Sequence, residues 1–144
     1  MVCRTAIALG ALALSVLPAR GAEDHLDSIR FNTLSAGRKL VVRTAQREYY
    51  LQLVDPKTGE ALVEASQDGS SFSPPQKMFL LGATPGAEPD QGGFSLVRMG
   101  EIRQGMSMEW GRGSLSREAR GTTSPVRSIS LVRNGQQISS QKSN

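Results

Sequence analysis

Residues 47–66 read REYYLQLVDPKTGEALVEAS, and this stretch decides the fold class. From Arg47 to Val54 the chain alternates, with Tyr49, Leu51 and Leu53 on one face and Glu48, Tyr50 and Gln52 on the other. A period of two marks a half-buried β-strand. Asp55-Pro56-Lys57-Thr58-Gly59 then reads as a tight turn. Asp55 accepts local backbone hydrogen bonds, Pro56 presets φ, and Gly59 supplies the left-handed residue that realigns the returning chain. Residues 60–66 are the return strand, so the whole stretch is a β-hairpin.

The same punctuation extends outward on both sides. Upstream, Ile29 and Phe31 open a first strand, residues 35–38 turn, and Lys39 to Thr44 is a β-branched run. Downstream, residues 67–71 form a loop, and Ser73-Pro74-Pro75 blocks ladder bonding until Lys77. Met78-Phe79-Leu80-Leu81 is apolar on both faces, as a buried central strand must be. Residues 82–93 hold four glycines and two prolines and read as an exposed loop. Phe94 to Met99 follows as a strand that Ile102 continues. Residues 105–110 alternate, placing Met106, Met108 and Trp110 inward and Ser107 and Glu109 outward. Residues 111–123 are a polar, arginine-rich connection. From Val126 to Arg133 the alternation returns, with Ile129 and Leu131 facing the core.

Nowhere do apolar residues keep a helical i, i+3, i+4, i+7 spacing across three turns. The expectation is an all-β domain, a small barrel or sandwich of about seven to eight short, mostly antiparallel strands, with the barrel favoured. Its core should draw on Phe31, Val42, Tyr49, Leu51, Leu53, Val63, Phe79, Leu80, Leu96, Ile102, Met106, Met108, Trp110, Ile129 and Leu131.

The segment from Ser66 through Asp68, Gly69 and Phe72 to Pro75 resembles the Asp-box turn of sialidase-type propellers. In that motif a Ser and an Asp bond the turn backbone, a Gly takes the tight position, and an aromatic packs beneath. Here Phe72 comes one residue early, and Ser70 stands where a glycine is usual. The box is structural in propellers, and this chain is too short for their several four-stranded blades. The resemblance therefore implies a stapled hairpin built on Ser66, Asp68, Gly69 and Phe72.

At the N-terminus, Arg4 precedes an uncharged run from Thr5 to Ala19, Pro18 breaks any helix, and Ala19-Arg20-Gly21 places small residues at −3 and −1. Residues 1–21 thus read as a cleavable signal peptide. As a helix the run would span about 22 Å, short of the roughly 30 Å of bilayer hydrocarbon, which argues against a retained anchor. The expected organisation is signal peptide 1–21, polar N-terminal segment 22–28, single β domain 29–134 and polar tail 135–144. The expected location is periplasmic, cell-envelope or extracellular. Cys3 would leave with the leader, so the mature chain would be cysteine-free and held by its core alone.

Composition narrows the chemistry. With 144 residues, 38% of them hydrophobic and 21% charged, the chain suits one soluble domain. One Cys and one His rule out an internal disulfide and a His/Cys zinc site. A Ser-His-Asp triad would have to use His25, which the sequence puts in a polar stretch with no strand to fix it. A carboxylate pair could come from Asp55, Glu60, Asp68, Glu88 and Asp90, but Asp55 and Asp68 already serve turns. The 88–90 loop lacks calcium-loop spacing, and residues 82–93 lack the Lys-Ser/Thr ending of a phosphate loop. No metal and no cofactor are expected.

Charge is segregated along the chain. Residues 22–90 carry seven basic and ten acidic side chains, and residues 91–144 carry eight basic and three acidic ones. Arg103, Arg112, Arg117, Arg120 and Arg127 cluster in the second half, with Trp110 beside Arg112 as a stacking surface. The guanidinium fork matches carboxylate, sulfate and phosphate. These residues are the candidate anion-binding site. The leading expectation is an exported, non-catalytic binding or structural module whose 103–127 region contacts an acidic polysaccharide, an anionic lipid headgroup or an acidic protein surface. Nucleic acid does not suit the exported compartment. The alternative is a small secreted hydrolase using a carboxylate pair or a Ser–Lys arrangement.

Overall fold

The computed structural model describes residues 24–85 and 97–133. The leader, the 135–144 tail, Glu88, Asp90 and Leu96 lie outside the described residues. In chain order the strands are β1 (Asp24–Leu26), β2 (Ser28–Arg30), β3 (Lys39–Thr44), β4 (Glu48–Asp55), β5 (Glu60–Ser66) and β6 (Gln76–Thr84). After them come β7 (Arg98–Met99), β8 (Glu101–Arg103), β9 (Ser107–Arg112), β10 (Arg120–Thr122) and β11 (Val126–Leu131). Two 3-10 turns, Phe31–Thr33 and Arg117–Ala119, are the helical elements among the described residues.

Every strand pair is antiparallel. The main sheet runs β1-β11-β3-β4-β5-β6-β9-β10, with β7 also on β6, while β2 and β8 form a separate ribbon. The hairpin at its centre follows from its turn. Lys57 N–H donates to Asp55 Oδ1 (3.0 Å) and the Thr58 hydroxyl to Asp55 O (3.3 Å). Gly59 sits at φ +78°, where its carbonyl accepts Leu80 N–H (2.8 Å) and joins the turn to β6. Strand β6 is paired along both edges, by β5 and β7 on one side and β9 on the other.

The sheet is not the closed barrel favoured from the sequence. Its hydrogen-bonded path has two ends, β1 and β10. The connection from β10 to β11 contains Pro125, which has no N–H to donate to a ladder. Loop bonds bridge the seam instead. Thr123 N–H donates to Met108 O (3.0 Å), Val126 N–H to Met106 O (2.9 Å), and Gly105 N–H to Val126 O (2.8 Å). On its other side Val126 stands opposite Thr44 of β3.

The main core gathers Phe31, Leu40, Val42, Tyr49, Leu51, Leu53, Ala61, Val63, Met78, Leu80, Ile102, Met108, Trp110, Val126 and Ile129. Burying each large apolar side chain contributes about 1.5–3 kcal/mol. Three residues expected in the core are only half-buried: Phe79, Met106 and Leu131. Phe79 faces the other side of β6 from Met78 and Leu80, with the Lys77 ammonium 5.5 Å from its ring centroid. Strand β9 is covered on both faces, contrary to simple alternation. Ser107 is buried opposite Thr84, and Glu109 is half-buried with Arg120 at 3.9 Å.

The polar N-terminal segment also differs from expectation. Residues 24–26 are an edge strand on β11, and Ser28 begins β2. Backbone pairing needs no apolar pattern, and Leu26 adds a contact to the core. His25 therefore does have a strand to hold it. It lies across from Ser130, whose Oγ is 3.4 Å from Nδ1, but Ser130 is fully buried and so out of reach as a nucleophile.

A cavity lined by arginines as the candidate functional site

Four connections meet at one end of the sheet: the β3–β4 turn, the β5–β6 loop, the β9–β10 loop and the β10–β11 connection. They border a half-open recess of about 460 Å³. Its floor is made by Tyr49 of β4, Val63 and Ala65 of β5, Met78 of β6 and Trp110 of β9. Strand register brings these together: Tyr49 pairs with Ala65, Met78 with Arg112 and Trp110 with Gly121. The Tyr49 and Trp110 rings pack edge to face, 5.0 Å between centroids at 81°. Both are almost wholly buried, so the floor offers only narrow apolar strips to an incoming molecule.

The walls are polar. Arg47, Arg112 and Arg120 line the cavity, with Gln46, Gln76, Ser73 and Thr122 between them. Each arginine is placed by a definite local structure. The turn carrying Arg47 is tied by Thr44: Arg47 N–H donates to Thr44 Oγ1 (3.1 Å), and Arg47 O accepts Thr44 N–H (2.8 Å). Arg112 ends β9 opposite Met78. Arg120 opens β10, and its Nε donates to Leu115 O (3.2 Å).

Charge in the cavity is one-sided. Glu118 is the single carboxylate of the lining, which includes neither lysine nor histidine. Among the described residues, Arg47 and Arg112 have no acidic partner within 4.0 Å, and Arg120 reaches Glu109 only at 3.9 Å. Burial raises the Tyr49 hydroxyl pKa, while the Arg47 charge pulls it the other way, so Tyr49 is a neutral hydrogen-bonding group at neutral pH. The orphaned, buried Ser124 Oγ belongs to the same lining.

Of the sequence candidates, the structure brings together Trp110, Arg112 and Arg120. Arg117 lies in the 3-10 turn beside the cavity without lining it. Arg103 is turned to Glu101, with Nε at 2.7 Å from Oε1, and Arg127 is exposed on β11. Sequence reading missed Arg47, Gln46 and Gln76. They belong to the half of the chain with an acidic balance, and only the strand register carries them across to β9.

The acids considered for hydrolysis have other work. Asp55 holds the hairpin turn, and Glu60 pairs with Lys77 at 2.9 Å. Asp68 accepts Ser66 Oγ–H (3.0 Å), Ser70 N–H (2.9 Å) and Ser71 N–H (3.1 Å), and these donors hold its carboxyl well below the usual carboxylate range. Ser66 Oγ accepts Gly69 N–H (2.9 Å), and Phe72 packs on Tyr50 with centroids 4.6 Å apart. This staple lies on the loop before Ser73 and Gln76 and so fixes one wall of the cavity. Among the described residues no cluster of His, Cys, Asp or Glu could hold a metal ion. No family model, curated protein or solved structure matches this chain, so the cavity is interpreted from its own residues.

Proposed function

We propose that this chain is an exported, non-catalytic binding module of the cell envelope or extracellular space that takes an anionic ligand in the cavity at the end of its sheet. One observation carries the reading: Arg47, Arg112 and Arg120, the last also meeting Glu109 at 3.9 Å, line a recess of about 460 Å³ whose own lining has one carboxylate. Guanidinium groups on a concave wall bind carboxylate, sulfate or phosphate through paired, charge-assisted hydrogen bonds. The volume falls in the range of ordinary ligand sites. Export is supported by the leader-like residues 1–21.

The test is binding of an acidic polysaccharide, polygalacturonate, to the purified mature domain, compared across salt concentration. Screening shortens from roughly 30 Å at 0.01 M to 3 Å at 1 M salt, so binding should weaken steeply over that interval. The triple variant Arg47→Gln/Arg112→Gln/Arg120→Gln should lose it. Arg103→Gln/Arg117→Gln/Arg127→Gln should keep most of it. Salt-independent binding, or loss in the second triple variant and not the first, contradicts the reading.

A further inference from the structure

The cavity wall discriminates among anions more finely than its charge alone. From its composition we infer that the ligand is a sugar acid: a single hydroxylated, carboxylate-bearing ring, free or at the end of an acidic chain. This inference rests on the anion-binding reading and narrows it.

The argument is one of matching. A lipid or an aryl acid would bring a large apolar body, and its binding energy would come from covering apolar surface. The cavity has little to cover. Trp110 is 9% exposed, Tyr49 6%, Val63 5% and Met78 4%, and the two rings are already packed on each other. A bare inorganic anion would accept from the guanidinium, amide and hydroxyl donors but has no donor for the amide carbonyl oxygens. The lining includes Gln46 and Gln76, whose amides both donate and accept, and Tyr49 in the floor, whose hydroxyl does the same. A ligand with several hydroxyls gives these groups partners, and its carboxylate meets the guanidinium fork of Arg112 or Arg47. The thin apolar strip of Trp110 and Tyr49 suits the edge or C–H face of a sugar ring. A recess of about 460 Å³ accommodates one such unit with room to spare.

Trp110 is the only tryptophan in the chain, so its fluorescence reports occupancy directly. The experiment titrates the mature domain with galacturonate, glucose, acetate, sulfate and trigalacturonate, with calorimetry as a second readout. Galacturonate should bind at least about tenfold more tightly than glucose, acetate or sulfate. Arg112→Gln should remove that preference. Gln46→Ala and Gln76→Ala should weaken galacturonate by a larger factor than they weaken sulfate. Trigalacturonate binding as tightly as the monomer, mole for mole, points to a free sugar acid. Tighter trimer binding points to a chain end. Either result supports the inference. Sulfate or acetate binding as well as galacturonate overturns the sugar-acid inference and leaves the anion site standing. If no anion binds by either readout, both fall.

Discussion

Replacing Gly59 by alanine tests whether the hairpin turn is locked onto β6 or merely hangs beside it. Two costs are separable. The first is conformational: at φ +78° a Cβ costs about 1–2 kcal/mol. The second is steric: the added methyl would overlap the Leu80 carbonyl oxygen, a backbone atom of the neighbouring strand that cannot swing aside. Relieving the overlap breaks the Leu80 N–H to Gly59 O bond, worth about 0.5–1.5 kcal/mol, and adds overpacking strain of about 1–3 kcal/mol. The total is about 2.5–6.5 kcal/mol, a large share of the roughly 5–15 kcal/mol that holds a domain folded. Gly37 provides the control. It has φ +84° with open space around its Cβ position, so Gly37→Ala bears only the conformational cost of about 1–2 kcal/mol. Urea unfolding followed by Trp110 fluorescence reads both variants at unchanged slope. Equal losses in the two variants would refute the packed-turn argument.

Three further outcomes follow from named contacts. Asp68 has a folded-state pKa below its ordinary 3.8, so its contribution to stability is full above that value and is lost as pH falls through the lowered one. The melting-temperature gap between wild type and Asp68→Ala should therefore hold constant at neutral pH and shrink in strong acid; a gap that grew on acidification would be contrary. Thr123→Val removes the acceptor of Met108 N–H (3.0 Å) at the seam and should cost about 1–3 kcal/mol in denaturant unfolding, with Thr123→Ser restoring most of it. Expression in a bacterial host with an intact export system should yield a mature protein whose mass lacks residues 1–21; an intact N-terminus in the exported fraction would contradict the leader reading.

Local chemistry carried much of the architecture into the sequence. The turn from Asp55 to Gly59, the Ser66–Asp68 hydrogen bonds and the two-faced apolar run at Met78 each depend on residues within a few positions. A linear reading therefore reaches them. The failures are non-local. Strand β1 is Asp-His-Leu, three residues with no periodicity to see, and it exists because β11 offers a free edge. Ser107 is buried by Thr84 across the ladder, a neighbour 23 positions away in the chain. Barrel closure fails because β1 and β10, the two ends of the sheet path, do not pair, and no local pattern in either segment displays that. The cavity shows the same limit. Arg112, Arg120 and Trp110 stood out by clustering in sequence, whereas Arg47 and Gln76 join them only through the β4–β5–β6–β9 register.

The most direct test follows arginine side-chain Nε–H resonances by NMR while galacturonate is added to a purified chain of residues 22–144. The account predicts saturable shifts at Arg47, Arg112 and Arg120, with Arg103 and Arg127 unmoved. Shifts confined to Arg103, Arg117 and Arg127, or small unsaturable shifts spread evenly over every arginine, would contradict it.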